Sequence, residues 1–134
     1  MKKRVLIVDD DEEICEEMSE ILSDKGYSVR TVFDGLKAWE LIKREDFELL
    51  LLDLKIPGLS GENILEAAKS AGIRAKILVL TGRPMKKLLK SGAGFSKEDE
   101  SDSSEKEILG LCDGFINKPF DIDNLLKTIK NLIG

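Results

Sequence analysis

The stretch Leu49–Gly61, Leu-Leu-Leu-Leu-Asp-Leu-Lys-Ile-Pro-Gly-Leu-Ser-Gly, constrains the fold more than any other part of the chain. Four consecutive leucines are too short a run for a globular helix and suit a strand buried on both faces of a parallel sheet. Asp53 follows at once, where that strand leaves the sheet. Ile56-Pro57-Gly58 then breaks regular structure, because proline fixes φ and glycine accepts the turn. A carboxylate is thereby expected at the carboxyl end of a central strand, the edge at which open α/β sheets bind ligands. Read alone, Asp53 fits a helix N-cap or a turn aspartate as well. Its partners elsewhere in the chain decide.

The flanking sequence alternates strands with helices. Val5–Val8 is a short apolar run ending in Asp9-Asp10-Asp11, and Glu12 and Glu13 suit a helix start, where the macrodipole favours anions. Ile14, Met18, Ile21 and Leu22 follow at helical spacing until Lys25-Gly26. Tyr27–Val32 reads as a second strand, partly alternating and so nearer an edge. Asp34-Gly35 opens the next helix, with Ala38, Leu41 and Ile42 inward and Trp39 off that stripe as a partly covered surface aromatic. A helix over about 62–71 turns Ile64, Leu65 and Ala68 to one face and ends at Gly72. Lys76–Leu80 is a buried strand ending in Thr81-Gly82, and Phe115-Ile116-Asn117 a short one ending in Lys118-Pro119-Phe120. Asp121 is placed to cap a last helix with the stripe Ile122, Leu125, Leu126, Ile129 and Ile133. The pattern predicts the α/β class, a five-stranded doubly wound parallel sheet with helices on both faces.

Residues 82–103 break the rhythm of what otherwise reads as a single domain over 1–134. A basic cluster (Arg83, Lys86, Lys87, Lys90) precedes a serine-rich acidic stretch, Ser96–Glu107, whose composition buries little. Ser104-Glu105-Lys106-Glu107 fits a capping box and starts a fourth helix that carries Ile108, Leu109 and Cys112 inward. So long a connection in a compact domain marks function or disorder.

Composition excludes several chemistries. The 134 residues are enough to bury a core without staples, and a net charge of −5 argues against a general nucleic-acid binder. Met1-Lys2-Lys3-Arg4 looks like the start of a signal peptide, but Val5–Val8 is too short for its apolar region, and no run is long enough to span a membrane. Cys15 and Cys112 stand alone, which fits reduced core thiols in a cytoplasmic protein. The chain has no histidine, which rules out Ser-His, Cys-His and His-ligated metal chemistry.

What remains is oxygen and lysine chemistry. Asp9, Asp10, Asp53, Thr81 and Lys118 all fall at strand ends, which converge on one edge of a parallel sheet. Each has a plain reading by itself: a solvated turn for Asp9–Asp11, a strand end for Thr81, a snorkelling surface lysine for Lys118. Together they are harder to dismiss. Three carboxylates brought together repel unless a cation sits among them, and an oxygen-only set suits Mg²⁺, for which Mn²⁺ can substitute. One carboxylate is then free to attack phosphorus, with the metal and a lysine neutralising the phosphoryl oxygens.

On these residues the chain resembles the receiver domains of response regulators in two-component signalling. The motifs are Val-Leu-Ile-Val-Asp9-Asp10, Leu-Leu-Leu-Leu-Asp53-Leu-Lys-Ile-Pro57-Gly-Leu-Ser-Gly61, Leu-Thr81-Gly and Phe115-Ile-Asn-Lys118-Pro119-Phe, in the family's order across nearly the whole chain. The resemblance implies a flavodoxin-like (βα)5 fold in which Asp53 accepts phosphoryl from a histidine kinase or histidine phosphotransfer protein. It implies that Asp9, Asp10, Asp53 and the Lys55 main-chain carbonyl hold Mg²⁺. Lys118 is implied to pair with the phosphoryl group, with a cis bond to Pro119. Thr81 and Phe115 match the residues whose reorientation switches an interaction face for a downstream target or a phosphorylation-dependent homodimer. The long segment between the fourth strand and the expected fourth helix departs from the family. Within it Gly92-Ala93-Gly94-Phe95 partly mimics the approach to the fifth strand, but Leu111–Phe115 has the right distance to Lys118 and is preferred. Lys55 and Arg83 fall where the family tunes loss of the phosphoryl group.

Three rivals are weaker. A haloacid-dehalogenase-like phosphatase would use Asp9 with Asp11, but leaves Asp53 and Pro57 unexplained. An FMN-binding flavodoxin needs a phosphate cradle where this chain has three aspartates. A phosphorylation-independent receiver-like binding module is usually marked by a missing acidic or lysine residue, and none is missing here. The expectation is therefore a phosphoacceptor regulator rather than an enzyme, stand-alone or excised from a longer protein, cytoplasmic, with neither nucleic acid nor membrane as partner.

Overall fold

A computed structural model of the chain describes residues 2–82, 108 and 110–134. Five strands, β1 (Arg4–Val8), β2 (Ser28–Val32), β3 (Leu49–Asp53), β4 (Lys76–Thr81) and β5 (Gly114–Asn117), form one parallel sheet in the order 2-1-3-4-5. Helices α1 (Glu12–Asp24), α2 (Gly35–Arg44), α3 (Gly61–Ser70) and α4 (Ile122–Ile133, the helix expected as the fifth) cover it. This is the flavodoxin-like order, with its switch point between β1 and β3.

The leucine strand is central because it can be buried on both faces. Leu50 and Leu52 point with Leu6, Val8, Ile77 and Val79 toward α2 and α3, which contribute Ala38, Leu41, Ile42, Ile64, Leu65 and Ala68. Leu49 and Leu51 point the other way with Val5, Ile7, Leu78 and Leu80, against Cys15, Met18 and Leu22 of α1 and Leu125 and Ile129 of α4. Two cores thus share one sheet, and strand alternation decides which side chain enters which.

Side-chain caps fix the helix starts. Asp11 accepts from the Glu13 and Ile14 amides, Asp34 from Lys37, Ser60 from Asn63 and Asp121 from Asp123, each satisfying an otherwise orphaned N–H. Two stripe assignments need correction. In α1 the inward residues are Cys15, Met18 and Leu22, while Ile14 and Ile21 are only half-buried. In α4 Ile122 stays exposed, because it opens the helix one residue after its cap, before the inward stripe of Leu125 and Ile129 begins. Ile108 is buried against the α2–α3 side, and the Cys112 amide donates to its carbonyl at 3.0 Å, a helical turn leading into β5. The capping box at 104–107, Leu109, the basic and acidic clusters of the long segment and the rival approach at 92–95 lie outside the described residues.

The Asp121 cap makes a first test. Asp121→Ala frees the Asp123 amide and is expected to cost about 1 kcal/mol, the usual worth of an N-cap, read as a lowered urea midpoint at unchanged slope. An unchanged midpoint would show that α4 is held by its apolar stripe alone.

Candidate phosphoacceptor site

The register delivers the five candidate residues to one edge. Val8 lies opposite Val32 and Leu52, so Asp9 follows β1 just where Asp53 ends β3. Asp53 pairs in turn with Leu80 and Thr81 with Asn117, which brings Thr81 and Lys118 alongside. The Asp9 amide donates to the Val32 carbonyl at 3.2 Å and the Lys118 amide to the Thr81 carbonyl at 2.7 Å, carrying the pairing one residue past the strands. The Lys118–Pro119 bond is cis.

The two inner carboxylates divide their oxygens in the same way. Asp9 Oδ1 accepts from the Asp11 amide at 3.0 Å, and Asp9 Oδ2 from Lys118 Nζ at 2.7 Å. Asp53 Oδ1 accepts from the Lys55 amide at 3.1 Å, and Asp53 Oδ2 from the same lysine nitrogen at 3.2 Å. One oxygen of each is thus aimed by its own loop and the other by Lys118. Asp10 is exposed, and one oxygen from each of Asp9, Asp10 and Asp53 lies within 4.8 Å of the others. The Asp9 side chain is fully enclosed, while a tenth of the Asp53 side chain remains open. Asp53 is therefore the inner carboxylate that an incoming group can reach.

Electrostatics sharpen that division. Burial pushes the Asp53 carboxyl above the ordinary aspartate range, against the Lys55 amide; the neighbouring Asp9 charge adds to the rise, and Lys118 opposes it. For Lys118, burial works against the charged form, but the hydrogen bond to Asp9 and the charges of Asp53 and Asp9 outweigh it and raise its pKa. The lysine is a fixed cation throughout the physiological range. Among the described residues, the three carboxylates meet the Lys118 ammonium with no thiolate or imidazole in the cluster, and such a set of hard oxygen ligands fits Mg²⁺.

The remaining candidates are distributed around this centre. Thr81 is buried at the end of β4, and Phe115 is half-buried on β5 opposite Val79, on the same face. Lys55 has an exposed side chain and only its amide touches Asp53. Arg83 lies outside the described residues. Three residues were not anticipated in these roles. Cys15 Sγ contacts the Asp9 carbonyl at 3.3 Å from beneath, and burial with the Asp9 charge pushes its thiol up to about 12, so it is inert padding under the site. Gly61 lets α3 start against the strand end, since a Cβ there would lie 2.4 Å from the Asp53 carbonyl oxygen. Asn117 Oδ1, buried beside Lys118, has no hydrogen-bond partner among the described residues. The short apolar Phe-Ile-Asn run gives no sign of that.

Comparison with known proteins agrees with this geometry. Residues 5–94 match the model of the family described as the response regulator receiver domain. The transcriptional regulatory protein DltR of Streptococcus agalactiae is 35% identical over 127 residues, 95% of this chain and 50% of the relative. The response regulator MprA of Mycobacterium leprae is 33% identical over 133 residues, 97% of this chain and 50% of the relative. The chain thus spans about half the length of these curated relatives. Among solved structures, a CheY-like receiver domain from Methanospirillum hungatei superposes with a TM-score of 0.79 at 29% identity, covering 98% of this chain and 93% of that one. The response regulator TrrA of Thermotoga maritima, solved in complex with Mg²⁺-BeF, does so at 0.74 and 28%, covering 97% and 98%. No helix among the described residues is long and apolar enough to cross a membrane. With the sheet order, the carboxylate edge and the family match in agreement, this chain belongs to the response regulator receiver domains of two-component systems.

Proposed function

We propose that Asp53 is the phosphoacceptor of this receiver, taking phosphoryl from a phosphohistidine on a histidine kinase or histidine phosphotransfer protein. The observation that carries the reading is the shared lysine: Lys118 Nζ bridges Asp9 and Asp53 beside Asp10, at the carboxyl ends of β1 and β3. Asp9, Asp10 and Asp53, with the Lys55 carbonyl, would hold Mg²⁺, which when bound neutralises the phosphoryl oxygens. Asp53 Oδ attacks phosphorus, the P–N bond to the partner's imidazole breaks, and its electron pair returns to the imidazole nitrogen. Lys118 then turns from Asp53 toward the phosphoryl oxygens and keeps Asp9 as its anchor. Thr81 offers its hydroxyl to the same oxygens, and Phe115 follows it, repacking the β4–β5 face. That is a population shift between two packings, and the face it alters is the output surface toward a downstream protein or a second copy. Activity of this kind makes the chain a regulator that turns over only its own acyl phosphate. The dehalogenase-like alternative gains no support, since Asp9 is the more enclosed of the two inner carboxylates and is already paired with Lys118.

Acetyl phosphate tests the assignment. With Mg²⁺ the wild-type chain is expected to gain one phosphoryl group by intact mass, and none in chelator. An adduct that persists in Asp53→Asn sinks the assignment.

A further inference from the structure

The loop between β3 and α3 carries Lys55, and its middle rests on a different element, the first turn of α2. Gly35 opens α2 and its N–H donates to the Pro57 carbonyl at 2.9 Å. A Cβ on Gly35 would lie 1.6 Å from the Leu59 carbonyl oxygen, 2.5 Å from its carbonyl carbon and 2.9 Å from its Cα. These are backbone atoms, which cannot swing aside like a side-chain tip. Gly35 φ is not positive, so space and not conformation demands the glycine. The next residue closes the contact: the Leu36 amide nitrogen and Cγ each come within 3.5 Å of where a Cβ on Gly58 would stand. Toward the site the loop is tied by the Leu54 amide to the Leu80 carbonyl (3.4 Å) and by the Lys55 amide to Asp53 Oδ1 (3.1 Å). Lys55 therefore sits between a tether to the sheet and a tether to α2. Asp34, whose side chain accepts from the Lys37 amide at 2.9 Å, fixes the turn that presents the Gly35 N–H.

We propose that the first turn of α2 is a platform for the magnesium-binding loop, with Gly35 a positioning residue that sets the Lys55 carbonyl through its contacts with Pro57 and Leu59. This rests on the magnesium reading of the site. Metal affinity commonly drops about 10–100-fold when an outer support of a ligand is lost, and Gly35→Ala, which must displace backbone, belongs in that range.

The test is calorimetric Mg²⁺ titration of the full chain, together with amide exchange of residues 54–60 in chelator. Gly35→Ala is expected to raise the Mg²⁺ dissociation constant about 10–100-fold and to speed exchange in that loop without metal. Asp34→Ala, which removes only the cap, should weaken binding several-fold and keeps the idea testable where Gly35→Ala does not fold. Asp121→Ala, an equivalent cap loss on α4, should leave both readouts at wild type. The platform is overturned where Gly35→Ala and Asp34→Ala bind Mg²⁺ as wild type does, or where Asp121→Ala weakens binding equally. Asp10→Ala separates the two claims. Unchanged binding in Asp10→Ala overturns the metal site and the platform with it, whereas lost binding there with indifference to Gly35 and Asp34 overturns the platform alone.

Discussion

Lys118→Met is expected to slow phosphoryl uptake from acetyl phosphate by about 10²–10³-fold, the usual loss when one preorganised donor to a developing oxyanion is removed. Methionine keeps the length and apolar stem, so the change isolates the ammonium. Mg²⁺ affinity should move the opposite way and tighten, because the lysine is the cation now paired with Asp9 and Asp53 at 2.7 and 3.2 Å. The metal-free fold should suffer as well. Removing one partner of an enclosed ion pair leaves unbalanced charge, commonly a loss of about 3–5 kcal/mol at neutral pH. That loss should shrink in acid, where the orphaned carboxyls take up protons. Slower uptake with weaker Mg²⁺ binding would instead mean that Lys118 supports the loops and does not contact the phosphoryl group.

Much of this architecture is legible in the sequence because its signals are local. The leucine run, the Asp-Gly opening of α2 and the cap at Asp121 each carry their own instruction, and among the described residues the five strands and the four helices start and end within a residue or two of expectation. Asp9, Asp10, Asp53, Thr81 and Lys118 could be gathered in advance because parallel topology sends every strand end to one edge. What escaped depends on distance between elements. Gly35 looks like an ordinary residue after a cap, and only the approach of Leu59, far along the chain, shows why it must be glycine. Cys15 shares a helix face with Met18 and Leu22, so its burial is legible, but its contact with the Asp9 carbonyl shows only once α1 is packed on the sheet. Asn117 belongs to an apolar strand, and its enclosed oxygen becomes visible only beside Lys118.

The same carboxylates that make the site should make the metal-free protein less stable than its core allows. Asp53 holds its proton to higher pH in the folded chain than in the unfolded one, chiefly because it is buried. A group whose folded pKa is raised favours the folded state at low pH, and that contribution is lost as pH rises through the folded value. The window opens near pH 3.9, where an unfolded aspartate titrates, and closes above the raised folded value. Asp53→Asn removes the group with little change of shape. In chelator it should therefore match wild type near pH 4 and exceed it at pH 7.5, seen as a higher thermal midpoint. Magnesium should reverse the order. At a hundredfold excess over its dissociation constant a ligand adds about 2.7 kcal/mol to the folded state, and wild type should gain this in full while Asp53→Asn, lacking one ligand, gains less. A thermal midpoint of wild type that ignores Mg²⁺, or an Asp53→Asn variant less stable than wild type in chelator at pH 7.5, would show that Lys118 already balances the three aspartates and that the cluster has no need of a metal.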